Sequence, residues 1–226
     1  MNHETRSELV VLVPQKALDR AKTRLRSVLS KEARIALSME MLRHVLGVCR
    51  ELPQVDGLFV CGPGELVGMA GDFGAAMLPG GDKGMRRDVI LAAEDWRIMG
   101  HAAMLFVSSD LPLLTPEDLQ ALVDAWRQGA HIVLGPDLRE RATNVMLVNE
   151  PEVFPYAFGQ VVGPGSFSTH RDTAIGLGLP SAEVRRIGVQ LDIDLPADIE
   201  RLLRERPDNP IAQFCAQHYQ EGFRFQ

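Results

Sequence analysis

The sequence predicts a single-domain α/β protein in which a mostly parallel mixed sheet carries helices on both faces. Segments with the apolar pattern of strands alternate along the chain with segments of helical periodicity, which is typical of a parallel sheet. The predicted strands are short and apolar throughout, as strands buried on both faces are. The length of 226 residues fits one domain over 1–226, with 207–226 as a C-terminal tail.

The N-terminal half begins with a strand and then a basic loop and a helix. Apolar runs that stop at proline or glycine are the predicted strands: Leu9–Val13, Leu58–Cys61 and Ala75–Leu78. Ser30 is a typical helix N-cap, and an apolar stripe at helical spacing follows it to about Cys49. A second helix is predicted over Asp88–Met99, with Trp96 on its apolar side.

The C-terminal half continues the alternation. Thr115 and Pro116 begin a helix with an N-cap, a proline at the first position and acids in the first turn. Pro196 begins a last helix that extends to about Arg206. The glycine-rich stretch Gly159–His170 is expected to be a loop excursion, and the tail after Pro207 to cover a sheet edge or form a homodimer contact. The predicted strands are Ala103–Val107, Ile132–Leu134, Val145–Val148 and Gly188–Ile193.

The composition excludes several classes of function. Lys and Arg number 24 against 30 Asp and Glu, a formal net charge of −6, which argues against a general binder of nucleic acid or anionic membranes. The three cysteines have no paired spacing, so neither a disulfide framework nor a zinc site is indicated. The apolar runs are too short for a signal peptide or a membrane helix, so a cytoplasmic protein is expected.

Three carboxylates follow predicted strands. Asp110 comes after the AMLFVSS segment, and Asp192 and Asp194 lie two residues apart in LDIDLP, where an extended chain would place them on one face. Ligands of open α/β sheets bind beyond the carboxyl ends of the strands. Clustered carboxylates repel one another unless a cation neutralises them, and their hard oxygen atoms suit Mg²⁺. A single Asp after a strand is often a simple helix cap. The metal hypothesis therefore depends on the expected convergence of all three carboxylates.

The loop after the first strand is basic. It contains Lys16, Lys22, Arg24 and Arg26, which can bind phosphates by charge or can form a solvated basic surface. The familiar phosphate-binding motifs GxxxxGK(S/T) and GxGxxG do not follow this strand, so the sequence argues against P-loop kinases and dinucleotide-dependent dehydrogenases.

A third constellation combines small and hydroxyl-bearing residues. Gly163 and Ser166 belong to a GPGS segment, and Thr143 precedes them in the chain. Glycines allow close approach of the backbone to a ligand, and successive N–H groups can bind an anion, although the same pattern is common in ordinary turns. His170 and His44 are expected to be packing or surface residues, since no Ser/His/Asp arrangement accompanies them.

Taken in order, five segments resemble the motifs of one family. VPQKALDRAKTRL resembles a first-strand signature K-x-L-x-x-A-K-S/T-R-L, and SSDLPLL a central D-L-P-L motif. ATNVML is similar to G-T-N-x-L-L, VVGPGSFSTH to F-G-x-x-S-x-x-x-H, and LDIDLPADI to D-I/V-D-T-P-x-D-L. The family is that of the 2-phospho-L-lactate and phosphoenolpyruvate guanylyltransferases, which act in the biosynthesis of the deazaflavin coenzyme F-420.

The resemblance implies a nucleotide-diphospho-sugar-transferase-like, Rossmann-like fold and Mg²⁺-dependent transfer of GMP from GTP to the phosphate of a small phospho-acid, with release of pyrophosphate. The acceptor would be 2-phospholactate, phosphoenolpyruvate or 3-phosphoglycerate. By this resemblance Asp110, Asp192 and Asp194 bind the metal, and Asp110, Lys22 and Lys16 are the catalytic residues. The matching substrate-binding residues are Thr143, Gly163, Ser166 and Arg24.

The chain departs from the family pattern at three places. Ala142 stands where glycine is common, and Leu195 where threonine is usual. Gly84-Met85-Arg86-Arg87 replaces a frequent Leu-Asn pair, and Arg87 is therefore a further candidate for substrate binding that would favour a more anionic acceptor such as 3-phosphoglycerate. Two alternatives stay open: a related nucleotidyltransferase with another nucleotide or acceptor, and a non-catalytic nucleotide-binding paralogue.

Overall fold

Seven strands form one sheet in a computed structural model that describes residues 9–95, 97–159 and 163–219. Their order across the sheet is β3-β2-β1-β4-β6-β5-β7. β6 is antiparallel to β4 and β5, and the other neighbouring pairs are parallel, which confirms the predicted mostly parallel mixed sheet. The strands are β1 (Leu9–Pro14), β2 (Val55–Gly62), β3 (Ala76–Pro79), β4 (Ala103–Val107), β5 (Ile132–Pro136), β6 (Thr143–Asn149) and β7 (Ser181–Glu183).

Helices cover both faces of the sheet, as predicted. Alternate residues of β1 point to opposite faces, so Val11 packs with α1 and α4 while Val10 packs with α3. The central strands β1 and β4 are buried along their whole length, which explains why they read as continuous apolar runs. The α-helices are α1 (Lys31–Arg50), α2 (Val67–Asp72), α3 (Met85–Ala93), α4 (Pro116–Arg127), α5 (Ser166–Gly176), α6 (Ile187–Gln190), α7 (Pro196–Glu205) and α8 (Pro210–His218).

The helix starts at Ser30 and Thr115 are confirmed by their hydrogen bonds. The Ala33 N–H donates to the Ser30 hydroxyl oxygen at 3.1 Å, which satisfies one of the free donors of the first turn. Thr115 and Asp118 form a reciprocal capping box, in which each side chain accepts from the backbone N–H of the other.

The sequence prediction was wrong at the last strand. Gly188–Ile193 does not join the sheet: it forms the short helix α6 and then an extended segment outside the sheet. A Cβ on Gly188 would collide with the Asp118 carboxylate and the Leu113 carbonyl, so only glycine allows this close approach to α4. The edge position belongs to β7, a short and largely exposed strand without a strong apolar pattern.

Two helices also differ from prediction. α3 begins at Met85 instead of Asp88, because Gly84 with φ of +91° turns the chain into the helix. It ends at Ala93, and Trp96 lies outside the described residues.

The stretch Gly159–His170 is a loop only in part, since α5 begins at Ser166. Residues 160–162 lie outside the described part. Phe167 and His170 bury one side of α5 against the sheet, a short pattern that the surrounding glycines obscure.

The tail does not cover a sheet edge over its described part. It forms α8, which is capped by Asn209 and packs on α1 and α7. Ile211 and Cys215 belong to a third apolar cluster, together with Leu25 of the basic loop and Ile193 of the extended segment. This cluster therefore fixes the basic loop and the segment 191–195 beside the carboxyl ends of β1 and β4. Among the described residues, no helix combines the length and apolar character needed to cross a membrane.

Candidate active site

Asp110, Asp192 and Asp194 converge at one edge of the sheet. One carboxylate oxygen of each lies within 4.8 Å of those of the other two. Asp110 follows the end of β4, while the other two lie on the extended segment after α6. The Ile193 N–H donates to the Asp110 carbonyl at 3.2 Å, which joins the two chain segments directly. The three residues therefore come together although the segment is not a strand of the sheet.

The Asn144 side chain holds the segment from the other side. Its amide nitrogen donates to the carbonyl oxygens of Val189 and Gln190 at 3.1 and 3.3 Å. Its own backbone carbonyl accepts from the Ser108 N–H at 2.8 Å, and the Ser108 hydroxyl donates to Asp110 Oδ1 at 2.6 Å. Because Asn144 is buried, this network orients both carboxylate-bearing segments from the start of β6.

Lys22 lies between two of the carboxylates. Its Nζ is 2.5 Å from Asp110 Oδ2 and 3.0 Å from Asp194 Oδ1, and its side chain is only 9% exposed. Burial alone would lower its pKa, but the charges and hydrogen bonds of Asp110 and Asp194 outweigh burial and raise the pKa above its ordinary value. Lys22 also has a left-handed backbone with φ of 52°, which is costly for a residue with a Cβ and typical of functional sites.

The other basic residues of the loop are more exposed. Arg24 Nη1 lies 3.4 Å from Asp194 Oδ2, and its side chain is 66% exposed. Lys16, Lys22, Arg24 and Asp110 line one groove of about 290 Å³, together with Ser108 and Met85. We refer to it as the catalytic groove. It brings the predicted phosphate-binding loop and two of the three predicted metal ligands, Asp110 and Asp194, onto the same surface.

The charges of this cluster are unbalanced. Burial and the neighbouring charges of Asp110 and Asp194 raise the pKa of Asp192 to about 7. The charge of Lys22 instead lowers the pKa of Asp194. When all three carboxylates are ionised, the buried ammonium of Lys22 neutralises one of their three negative charges, and the largely exposed Arg24 offsets the charge of Asp194 only weakly. Oxygen donors with this excess charge fit a divalent cation such as Mg²⁺.

Thr143, Ser166 and His170 form a buried network. The Thr143 N–H donates to the Ser166 hydroxyl oxygen at 2.9 Å. The Ala157 N–H donates to His170 Nε2 at 2.8 Å, so the proton of the neutral ring is on Nδ1, which lies 2.9 Å from Thr143 Oγ1. The ring thus donates to Thr143, and the Thr143 hydroxyl keeps its own proton to donate elsewhere. Gly163 is exposed, and its carbonyl oxygen accepts from Arg141 Nη2 at 3.4 Å.

We expect His170 to make folding stability depend on pH. Burial lowers its pKa to about 4 from an ordinary 6.5, so the unfolded chain binds a proton that the folded protein does not between these values. Stability should therefore fall by up to about 3 kcal/mol as the pH falls through this window. Urea unfolding at pH 7.5 and 4.5 tests this when compared with His170→Gln, which lacks the titrating group. Identical pH dependence of the two proteins would contradict it.

Arg87 does not line the catalytic groove. It lies with Arg86, Phe158 and Gly159 along a neighbouring groove, and Met85 contacts both grooves. Arg86 is held by a hydrogen bond from its Nε to the Tyr156 carbonyl at 2.8 Å. Any influence of Arg87 on the acceptor would therefore come from the neighbouring groove, with Met85 between Arg87 and the catalytic groove.

Two features of the site were missed from the sequence. The first is Asp198, a buried acid whose carboxylate accepts a hydrogen bond from the Asp194 N–H. The sequence pattern that could have indicated it is a proline followed two residues later by an aspartate at the start of a helix, as at the start of α4. The second is a groove of about 630 Å³ at the ends of β2 and β3. It is lined by residues 62–64 and 79–83 and adjoins the catalytic groove at the loop residues 16 and 17. Its signal was the pair of glycine-rich turns after these strands.

Comparisons with known proteins show which proteins this chain resembles. A family model described as "Guanylyl transferase CofC like" matches residues 9–211. A phosphoenolpyruvate guanylyltransferase of Sphaerobacter thermophilus is 33% identical over 199 residues, covering 88% of this chain and 94% of its own. A 3-phospho-D-glycerate guanylyltransferase of Colwellia psychrerythraea is 26% identical and covers 85% of this chain and 90% of its own.

Solved structures show the same fold. A protein of Desulfovibrio desulfuricans, described as a nucleotide-diphospho-sugar transferase, matches with a TM-score of 0.72 at 15% identity and covers 92% of this chain and 94% of its own. A CMP:2-keto-3-deoxy-manno-octonic acid synthetase in complex with CTP matches with a TM-score of 0.57 at 12% identity, covering 86% and 96%. The expected nucleotide-diphospho-sugar-transferase-like fold is confirmed.

Proposed function

The chain belongs to the family of CofC-like guanylyltransferases, and on that premise we propose that it transfers GMP from GTP to the phosphate of a small phospho-acid and releases pyrophosphate. The observation that carries this proposal is the convergence of Asp110, Asp192 and Asp194 beside Lys22 at the catalytic groove, which Lys22, Asp110 and Asp194 line. As in the family, the product would be an activated phospho-acid for the biosynthesis of coenzyme F-420.

The cluster of carboxylates would hold Mg²⁺ through Asp110, Asp192 and Asp194. A bound Mg²⁺ would supply positive charge to the triphosphate and to the departing pyrophosphate. Lys16 and Arg24 lie on the same groove wall and would bind phosphate oxygens by charge. Lys22 would stay close to Asp110 and place its ammonium beside the transferring phosphorus, where negative charge develops.

The acceptor needs no general base, because its phosphate oxygen is already an anionic nucleophile. His170 fits this conclusion, since it is fully buried and neutral and holds Thr143 through Nδ1. Thr143, Gly163 and Ser166 would bind the acceptor, with the Thr143 hydroxyl as a donor to its anionic groups. The relatives named for phosphoenolpyruvate and 3-phosphoglycerate make these two acids the first acceptors to test.

The groove at the ends of β2 and β3 would bind the guanine base. It adjoins the catalytic groove at the loop after β1, so a nucleotide could extend from one groove to the other. A Cβ on Gly81 would meet the Gln15 carbonyl at 2.9 Å, so glycine is needed to close this wall. Asp82 provides an exposed carboxylate on the groove. Guanine offers two adjacent donors, N1–H and the 2-amino group, which a carboxylate can accept together.

We therefore expect Asp82→Asn to change the base preference. The variant should lose roughly 10- to 100-fold in kcat/KM with GTP and gain activity with xanthosine triphosphate, whose carbonyl replaces the 2-amino group. Asp95→Asn is a matched control: Asp95 lines the same groove, but both its oxygens are occupied by Arg97. An unchanged ratio of GTP to xanthosine triphosphate use in Asp82→Asn would argue against this base assignment.

The direct test of the function is pyrophosphate release. Purified protein with Mg²⁺ would be offered each of the four common nucleoside triphosphates with 2-phospholactate, phosphoenolpyruvate or 3-phosphoglycerate. Release with GTP and one acid is the expected result and identifies the acceptor. GTP binding without release for any pair would support a non-catalytic paralogue instead.

A further inference from the structure

The segment that carries Asp192 and Asp194 lacks the support of a sheet. Asp110 lies directly after a central strand, whereas residues 191–195 follow a helix of four residues and have no strand partner among the described residues. The side chain of Asp194 is also 42% exposed, so packing alone does not hold its carboxylate. The Ile193 N–H bond to Asp110 and the packing of Ile193 hold the segment as far as residue 193. A cation site needs its ligand oxygens at defined positions, so a further group must hold the backbone at Asp194 itself.

Asp198 holds the backbone on both sides of the Asp194 Cα atom. Its Oδ2 accepts from the Asp194 N–H at 3.0 Å and from the Leu195 N–H at 2.7 Å. These two N–H groups belong to the two peptide planes that flank the Asp194 Cα, so holding both restricts φ and ψ of Asp194. The direction of its Cα–Cβ bond, and with it the carboxylate, is then set by Asp198.

Arg139 fixes Asp198 in turn. Its Nη2 lies 2.8 Å from Asp198 Oδ1, while the Asp198 side chain is only 6% exposed. The buried carboxylate thus uses one oxygen for the guanidinium and the other for the backbone. Arg139 is also within electrostatic range of Asp192, so it adds positive charge near that carboxylate.

We propose that Asp198, oriented by Arg139, is a positioning residue that sets Asp194 for binding of the divalent cation. The inference rests on the proposed function, because it assumes that Asp194 is a cation ligand. It extends that function to two residues outside the groove-lining set. Metal sites commonly depend on such hydrogen-bonded partners of their ligands, whose loss typically costs 10- to 100-fold in affinity.

The start of α4 has a similar capping aspartate that is not next to a proposed cation ligand. Asp118 at the start of α4 is equally buried, accepts from the Thr115 N–H at 3.0 Å, and pairs with Arg186 at 2.7 Å. No cation cluster of described residues includes Thr115 or its neighbours. Asp118 therefore supplies a control with the same capping role and the same kind of ion pair, whose bonded N–H belongs to no proposed cation ligand; its contacts with Arg186 and Gly188 reach α6 and not Asp194. At α7, Leu195 has no hydroxyl, so Asp198 acts without the reciprocal partner that Thr115 provides.

The experiment measures binding of Mn²⁺ alone to the full chain by electron paramagnetic resonance, with Mn²⁺ as a probe for Mg²⁺. We expect Asp198→Ala to raise the Kd of Mn²⁺ about tenfold or more, and Asp198→Asn, whose amide oxygen can still accept from the backbone, by a smaller factor. Asp118→Ala should lose a similar amount of thermal stability and leave the Kd unchanged. The Mg²⁺ concentration for half-maximal pyrophosphate release should follow the Kd.

The possible outcomes distinguish failure of the positioning role of Asp198 from failure of the proposed cation site. Wild-type binding of Mn²⁺ with an unchanged Kd in Asp198→Ala would overturn the positioning role and leave the proposed function intact. Absence of Mn²⁺ binding by the wild type would overturn the cation site and the inference with it. If Asp198→Ala does not fold, Asp198→Asn decides: a Kd equal to that of the wild type overturns the inference, and a raised Kd supports it.

Discussion

Asp192→Asn is expected to abolish pyrophosphate release and at the same time to make the metal-free protein more stable. The substitution removes one of three carboxylates that would hold the cation, and loss of such charge stabilisation typically costs about 100- to 1000-fold in rate. Among the residues that the structure describes, none forms an ion pair with Asp192, and burial together with the charges of Asp110 and Asp194 disfavours its ionised form. Asparagine keeps its size and removes the repulsion, so the melting temperature in EDTA should rise.

Asp110→Asn provides the contrast. It should lose activity to a similar extent, but it should also lose stability, because Asp110 is the nearest partner of the buried Lys22 ammonium. Thermal unfolding with EDTA and with saturating Mg²⁺ measures both effects. The wild type should gain stability from Mg²⁺ by mass action, and both variants should gain much less. Near-wild-type rates in either variant would refute the assignment of these residues as cation ligands.

Lys22→Met is expected to lower kcat/KM for GTP by roughly 100-fold or more and to destabilise the metal-free protein. Methionine keeps the length of the side chain but removes the charge that balances Asp110 and Asp194. Loss of one partner of a fully buried pair typically costs about 3–5 kcal/mol, and the loss here should be smaller because Asp194 is 42% exposed to water. Added Mg²⁺ should therefore stabilise the variant more than the wild type, because the cation then replaces the missing positive charge.

Arg24→Met is the matched control for Lys22→Met. Arg24 belongs to the same loop and also approaches Asp194, but its side chain is largely exposed. Exposed ion pairs contribute little to stability, so this variant should unfold near the wild-type temperature while its KM for GTP rises. Equal losses of stability in the two variants would show that burial of Lys22 between the carboxylates has no special role.

The chemistry of the candidate site could be predicted largely from local sequence. The buried strand before Asp110, the spacing of Asp192 and Asp194, and the cluster of Lys16, Lys22 and Arg24 all lie in short motifs. The topology of a parallel sheet predicts that residues after its strands meet at one edge. That reasoning brought the carboxylates together correctly, even though Gly188–Ile193 turned out not to be a strand.

The connections between these motifs could not be read from the chain. Asp198 has the sequence signature of a helix cap, as Asp118 does, and each pairs with an arginine. Only the position of Asp198 against the backbone of Asp194, in the carboxylate cluster, distinguishes the two. His170 is expected from the sequence to be a packing or surface residue; the fold buries it, sets its tautomer through the Ala157 N–H and directs its Nδ1 to Thr143. Each case depends on a contact between residues far apart in the chain, which local patterns do not encode.

By itself, then, the sequence determined the fold class, the family and the residues that meet at the catalytic groove, because apolar periodicity and short motifs are local properties. Tertiary structure alone decided that Lys22 lies buried between Asp110 and Asp194, that the segment after α6 stays outside the sheet, and that Asp198 holds its backbone. The physical reason is that burial, and with it the strength of every charge interaction at this site, depends on what the rest of the chain packs around it.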